Sequence, residues 1–179
     1  MMNSYLKEEN IIGCIDLNNN NEIRSNTLVQ LKEFQKNISE KLAIMLKENP
    51  YLAPESLSAY TLMNDIMIQS VSKIVTEYIF PLVSPTKGEY ISIVALGGYA
   101  RAEMAPYSDI DLLFLTPYKQ TAWGENVIET ILYLLWDLGL KVGHAVRNIE
   151  ECLRIAKNDI TARTSLLENR FIFGNIELA

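Results

Sequence analysis

Positive charge, cysteine and histidine are all scarce in this chain. Lys and Arg number 16 against 22 Asp and Glu, a net charge of −6. A nonspecific nucleic-acid binder needs a basic footprint, so that class is excluded. Two cysteines, Cys14 and Cys152, form neither a metal-type spacing nor a disulfide framework, which suits a reducing cytoplasm. No apolar run approaches the ~20 residues that span a bilayer. The start, MMNSYLKEENII, lacks the basic and then apolar regions of a signal peptide. Neither nucleic acid nor membrane is therefore an expected partner.

What is present is an ordinary globular composition. Hydrophobic residues make up 49% of 179, enough for one domain with a real core and a helical extension. Residues 1 to about 23 read as loose, with Asn18–Asn21 as a surface loop. Leu31, Phe34, Ile38, Leu42 and Met45 then recur at helical spacing until Asn49-Pro50. A second helix starts near Ala53-Pro54-Glu55 and carries Tyr60, Met63, Met67, Val71, Ile74 and Tyr78, ending at Pro81. The turn cluster Ser84–Gly88 divides the chain into a loop and helical segment, 1–88, and a core, 89–179. In the core, strands are expected at Tyr90–Leu96, Ile110–Leu115 and Leu140–Asn148. Helices are expected at Gly124–Asp137, Ile149–Lys157 and Thr161–Phe171, with Gly139 as a stop.

The informative stretch is Ala95–Thr116, ALGGYARAEMAPYSDIDLLFLT. An apolar strand runs into Gly97-Gly98. Ten residues later come Asp109 and Asp111, at the head of a second apolar strand. Positions i and i+2 of a strand share a face, so the two carboxylates point the same way. Carboxylates that close repel unless a proton or cation lies between them, and Mg²⁺ is the usual oxygen-loving cation. A glycine turn, with a short helix starting near Tyr99, can aim N–H groups at phosphate. The pattern fits a nucleoside triphosphate held by the turn and through metal on the carboxylates. Each part also has a plainer reading. Asp109 with Ser108 suits a turn, and Gly97-Gly98 suits a tight bend. Ser108 suits a hydroxyl contact or a cap. Arg101 suits a phosphate fork or an ion pair with Glu103 or another acid. Asp111 resists a plain reading, because an acid inside an apolar strand must be paired or ligated.

Gly97-Gly98, the spacer and Asp109-Ile110-Asp111 resemble the signature of the DNA polymerase β-like nucleotidyltransferase superfamily. GGYARAEMAPYSDIDLLFL resembles one family within it, the bifunctional uridylyltransferase/uridylyl-removing enzymes that modify the nitrogen-signalling protein PII. Two further blocks carry the same resemblance: Leu134–Arg147, and Asp159-Ile160-Thr161 continuing to Leu166–Phe171 and Gly174. The three blocks cover roughly half the chain. The resemblance implies an α/β (α+β) nucleotidyltransferase core, a small mixed sheet flanked by helices. It also implies transfer of UMP from UTP to a tyrosine hydroxyl of PII, with Mg²⁺ on Asp109 and Asp111 and phosphates on Gly97, Gly98, Arg101 and Ser108. His144 and Arg147 form the family's GH-x-x-R element; a core histidine is the plainer reading of the first. The superfamily usually places a third carboxylate on the strand after the Asp pair. Leu140–Asn148 has no acid, so Asp159 is the substitute, ahead of Glu150, Glu103 and Asp137. Ala100 and Ala102 stand where the family usually has glycine; a positive φ at either would be strained. The family's HD hydrolase and ACT domains are not found, and one histidine allows no His-Asp site, so removal of UMP is not expected. The alternatives are a nucleotidyltransferase with another acceptor, or a truncated remnant that binds nucleotide or a partner without turnover.

Overall fold

A computed structural model describes residues 20–118 and 120–179, with side chains from residue 22 onward. Most of the stretch read as loose, residues 1 to about 23, lies outside the described residues. Its last part is corrected: α1 (Asn20–Glu48) begins at Asn20, and Ile23 is buried in the core. The asparagines there are poor helix formers, but tertiary burial of Ile23 and Leu31 overrides propensity. Beyond α1, the Asn49 side chain accepts from the Tyr51 N–H and starts a tight turn at Pro50–Leu52. Helix α2 (Ala53–Ile74) carries Pro54 and Glu55 in its first turn. A wide turn, Val75–Ile79, ends it one residue before Phe80-Pro81.

The core then alternates strand and helix. Strand β1 (Ser92–Leu96) runs straight into α3 (Gly97–Ala100). Strand β2 (Ile110–Thr116) is followed by α4 (Ala122–Asp137), whose N-cap Thr121 accepts from the Gly124 N–H. Strand β3 (Val142–Asn148) leads through an Asn148–Glu151 capping box into α5 (Ile149–Asn158). Helix α6 (Ile160–Leu167) precedes β4 (Asn169–Gly174). The helix expected over Thr161–Phe171 therefore ends at Leu167, and the rest is a strand. Phe171-Ile172-Phe173 is an aromatic and β-branched run bounded by Asn169 and Gly174, which favours strand, and it closes the open edge of β1.

The sheet has order β3-β2-β1-β4. Strand β1 is antiparallel to both neighbours, and β2 and β3 are parallel, so the sheet is mixed. This is the α/β arrangement that the resemblance implied. On one face Ile93, Ala95, Ile110, Leu112 and Phe114 pack against Met67, Val71, Ile74, Val127 and Leu135 of the helices. Ile23 and Leu31 of α1 join the same cluster, so the helical segment and the sheet share one core. On the opposite face the buried cluster is small: Val94, Leu113 and Leu115 of the sheet with Cys152 of α5, edged by partly buried Leu96, Ala145, Leu166 and Leu178. Among the described residues, no helix is long and apolar enough to cross a membrane.

Candidate active site

Alternation along β2 sends Ile110, Leu112 and Phe114 into the main core and Asp111 to the thinly covered face. There Asp111 borders a cleft of about 490 Å³, together with Gly97, Gly143, Arg147 and Asp159. Asp111 is exposed, and its carboxylate has no hydrogen-bond or ion-pair partner among the described residues. Its strand lies between β1 and β3, and two glycines approach it, Gly143 of β3 and Gly97 just beyond the end of β1. A Cβ on Gly97 would sit 4.0 Å from Asp111 Oδ2, and one on Gly143 would sit 2.8 Å from Oδ1. The carboxylate is therefore beside the glycine turn, with no side chain between them.

Gly97 has φ +57°, a left-handed conformation that an L side chain would strain. That conformation turns the chain from β1 into α3, which starts two residues earlier than the sequence indicated. The Gly97 N–H donates to the Glu168 carbonyl at 3.2 Å. The N–H groups of Gly98 and Tyr99 belong to a first helical turn, which has no acceptor of its own.

The other expected site residues are placed less uniformly. Asp109 is exposed at the residue before β2 and is not in the wall of the cleft. Arg101 is held by two acids: Nε to Glu103 Oε2 at 2.9 Å and Nη1 to Glu168 Oε2 at 2.5 Å. Those two hydrogen bonds hold its pKa above the usual arginine value. Ser108 lines a different hollow, on the α2 side, with Met104 and Tyr107. Asp159 borders the cleft, but its Oδ1 caps α6, accepting from Thr161 N at 2.8 Å and Ala162 N at 3.2 Å. His144 is exposed at the sheet edge and also borders the cleft, with its ring 6.0 Å from that of Trp136. Arg147 shares a face with Gly143 and has no hydrogen-bond or ion-pair partner among the described residues, so the cleft's arginine is uncommitted. Thr161 and Ser165, one helical turn apart on α6, also border it.

Residues 85–166 match the family described as Nucleotidyltransferase domain. The chain carries a nucleotidyltransferase domain. Its similarity extends over more of the chain than that match. It is 45% identical over 160 residues to the bifunctional uridylyltransferase/uridylyl-removing enzyme of Ruegeria pomeroyi, covering 89% of this chain and 18% of the relative. With the enzyme of that name from Cereibacter sphaeroides it is 42% identical over 176 residues, 98% of this chain and 19% of the relative. With that of Rhodopseudomonas palustris it is 54% identical over 113 residues, 63% and 12%. The resemblance read from three sequence blocks thus holds across most of the chain. The chain spans less than a fifth of the length of these relatives.

One group that positions the glycine turn of the cleft escaped sequence reasoning. Asp65 of α2 accepts the Tyr99 hydroxyl at 2.6 Å and takes a two-pronged ion pair from Arg170 of β4, at 2.7 and 3.0 Å. Arg170 also donates to the carbonyls of Tyr99 and Ala100, at 3.1 and 3.2 Å. Its guanidinium lies 5.3 Å from the Tyr99 ring centre. Burial, and next the Asp65 charge, push the Tyr99 hydroxyl well above its ordinary pKa, so it stays a donor. This clamp fixes α3, and with it the glycine turn, to the helical segment and to β4. The available signal was Asp65 itself, an acid between the buried positions Met63 and Met67.

Proposed function

We propose that this domain transfers UMP from UTP to a tyrosine hydroxyl of the signalling protein PII, with release of pyrophosphate. The observation that carries the reading is the unpaired Asp111 carboxylate, exposed between two glycines on the wall of the cleft. Asp109 and Asp111 would hold Mg²⁺. Their chemistry fits it: two exposed carboxylates two residues apart and free of protein partners, with no cluster of three or more acids, histidines or cysteines among the described residues. Mg²⁺ usually takes one or two carboxylates and completes its oxygen shell from phosphate and water. When bound it supplies charge neutralisation at the α-phosphate.

The chain's own residues do the rest. The turn receives the outgoing phosphates on the N–H groups of Gly98 and Tyr99, since that of Gly97 is bonded to Glu168. Arg147, uncommitted in the cleft, supplies positive charge to the nucleotide. Arg101 can join it only by leaving Glu103 and Glu168. The acceptor oxygen attacks the α-phosphorus, the bond to the bridging oxygen breaks, and its electrons leave with pyrophosphate. Asp159, which borders the cleft, would take the hydroxyl proton through the oxygen not committed to its cap. The uridylyl group follows the names of the relatives, and UTP and PII follow the resemblance of the three sequence blocks. Removal of UMP is not assigned to these 179 residues, which contain one histidine.

The test pairs calorimetry of UTP, with and without Mg²⁺, with transfer of labelled UMP to purified PII. Asp111→Asn should lower transfer at least roughly a thousandfold, since several kcal/mol of charge stabilisation disappear. Its melting temperature should be unchanged, because the side chain is exposed and unpaired. Undiminished transfer by that variant would remove the carboxylate from the mechanism. One observation favours a second reading, nucleotide binding without turnover. No third acid joins the pair, and Asp159 already serves as a cap. Mg²⁺-dependent UTP binding without transfer to PII or to any other acceptor would select it.

A further inference from the structure

We propose that Gly143 is a positioning residue: its missing side chain is the seat of the Asp111 carboxylate, and that seat aims the carboxylate at the glycine turn. The inference rests on the metal-binding reading of Asp111 given above.

Gly143 pairs directly with Asp111 across the parallel β2–β3 ladder. A glycine within a strand is unfavourable, because it loses more chain entropy on folding and packs nothing. Backbone shape does not demand it here, since Gly143 is not among the glycines of positive φ. Space does. A Cβ at Gly143 would lie 2.8 Å from Asp111 Oδ1, closer than such contacts occur, while the next atoms, Asp111 Cγ and the Ile110 carbonyl oxygen, are at 4.0 Å. The carboxylate tip alone stands in the way. It can swing aside without disturbing the sheet, because no hydrogen bond holds it. The Gly97 side is different: there the added Cβ would be at 4.0 Å from Oδ2, an ordinary contact. Gly143 thus fixes where the carboxylate rests, whereas Gly97 shapes the turn it faces.

The prediction separates fold from aim. Gly143→Ala should fold with an unchanged or raised melting temperature, since alanine suits a strand better than glycine does. Its affinity for UTP in the presence of Mg²⁺ should fall at least tenfold by calorimetry. Its affinity for Mn²⁺ alone, read by electron paramagnetic resonance, should fall likewise, and UTP binding in EDTA should not change. Added to Asp111→Asn, the alanine should have no further effect on UTP binding. Wild-type Mg²⁺-UTP and Mn²⁺ affinity in Gly143→Ala would overturn the proposal. So would a melting temperature lowered by more than about 5 °C, which would mean that backbone, not a carboxylate tip, fills the space. An alanine effect that persists in the Asp111→Asn background would overturn it too. If Asp111→Asn itself binds Mg²⁺-UTP normally, the metal reading fails first, and the two failures are distinguishable.

Discussion

The two faces of the sheet are built from the same strands to opposite ends. On the helix-covered face, Ile110, Leu112 and Phe114 of β2 are each at most 1% exposed, within a cluster that reaches from Ile23 to Ile172. On the other face, the residues between them are Asp111, exposed, and Leu113 and Leu115 under a small cluster. The helices over that face leave large apolar side chains in solvent, with Leu153 59% and Leu167 77% exposed. Alternation within a single strand therefore gives one face to the main core and the other to the cleft. Such an arrangement lets the site residues change without unfolding the chain.

That division can be broken most directly at Phe114. Phe114→Ala should cost about 3–5 kcal/mol, the transfer and cavity terms of a fully buried aromatic. Leu167→Ala on the other face should cost under about 0.5 kcal/mol, as exposed substitutions do. Urea unfolding of both variants checks this. Similar costs would show that the thin face carries as much of the stability as the thick one.

The clamp of Asp65, Tyr99 and Arg170 joins the two faces, since it ties the glycine turn beside the cleft to a helix of the main core. Tyr99→Phe removes one hydrogen bond to a charged acceptor and should cost roughly 1.5–3 kcal/mol at neutral pH. The pH dependence sharpens the assignment. Tyr99 keeps its proton in the folded state well above pH 10.0, the value at which an ordinary tyrosine loses it. The unfolded state thus releases a proton first as pH rises, and the contribution is present in full below pH 10.0 and lost as pH climbs through the raised value. The stability difference between wild type and Tyr99→Phe should accordingly stay flat to about pH 10 and shrink above it. A difference that grows with alkalinity would mean that the hydroxyl is not the donor.

Legibility followed the range of the interactions. The Asp111 strand, the glycine turn and the α4 stripe were readable because period and turn chemistry are local. Strand β4 was not. Phe171-Ile172-Phe173 is too short for its period to separate strand from helix, and only pairing with β1, some 75 positions earlier, settles it (Ile93 pairs with Phe173, Val94 with Phe171). The start of α1 was hidden for a similar reason: four consecutive asparagines argue for a loop, and burial of Ile23 against distant residues argues more strongly for helix. At the site, residue types were readable but their commitments were not. Arg101 carried the charge expected near phosphate, yet Glu168, 67 positions on, already holds it. Asp159 was read as an acid for chemistry, and the Thr161 and Ala162 N–H groups show it also serving as a cap. Gly143 was legible as the first residue of the GH-x-x-R element, but its place beside Asp111 on a neighbouring strand was not.

The smallest expected effect concerns the two alanines that replace the family's usual glycines. They prove unlike each other. Ala100 is the last residue of α3, a conformation in which alanine is the better choice. Ala102 has φ +60°, the left-handed region, where its Cβ crowds the backbone. The loop that leads from the glycine turn toward Asp109 thus carries strain at the position where the family uses a residue without a Cβ. Ala102→Gly should relieve that strain but loosen the unfolded chain, leaving a net gain of up to about 1 kcal/mol. Ala100→Gly should lose about as much, since it places glycine in a helix. Opposite signs for two Ala→Gly changes on either side of Arg101, measured by thermal unfolding, would locate the strain at Ala102 alone. Equal signs would mean that the loop relaxes without regard to φ, and that the alanine there is borne at no cost.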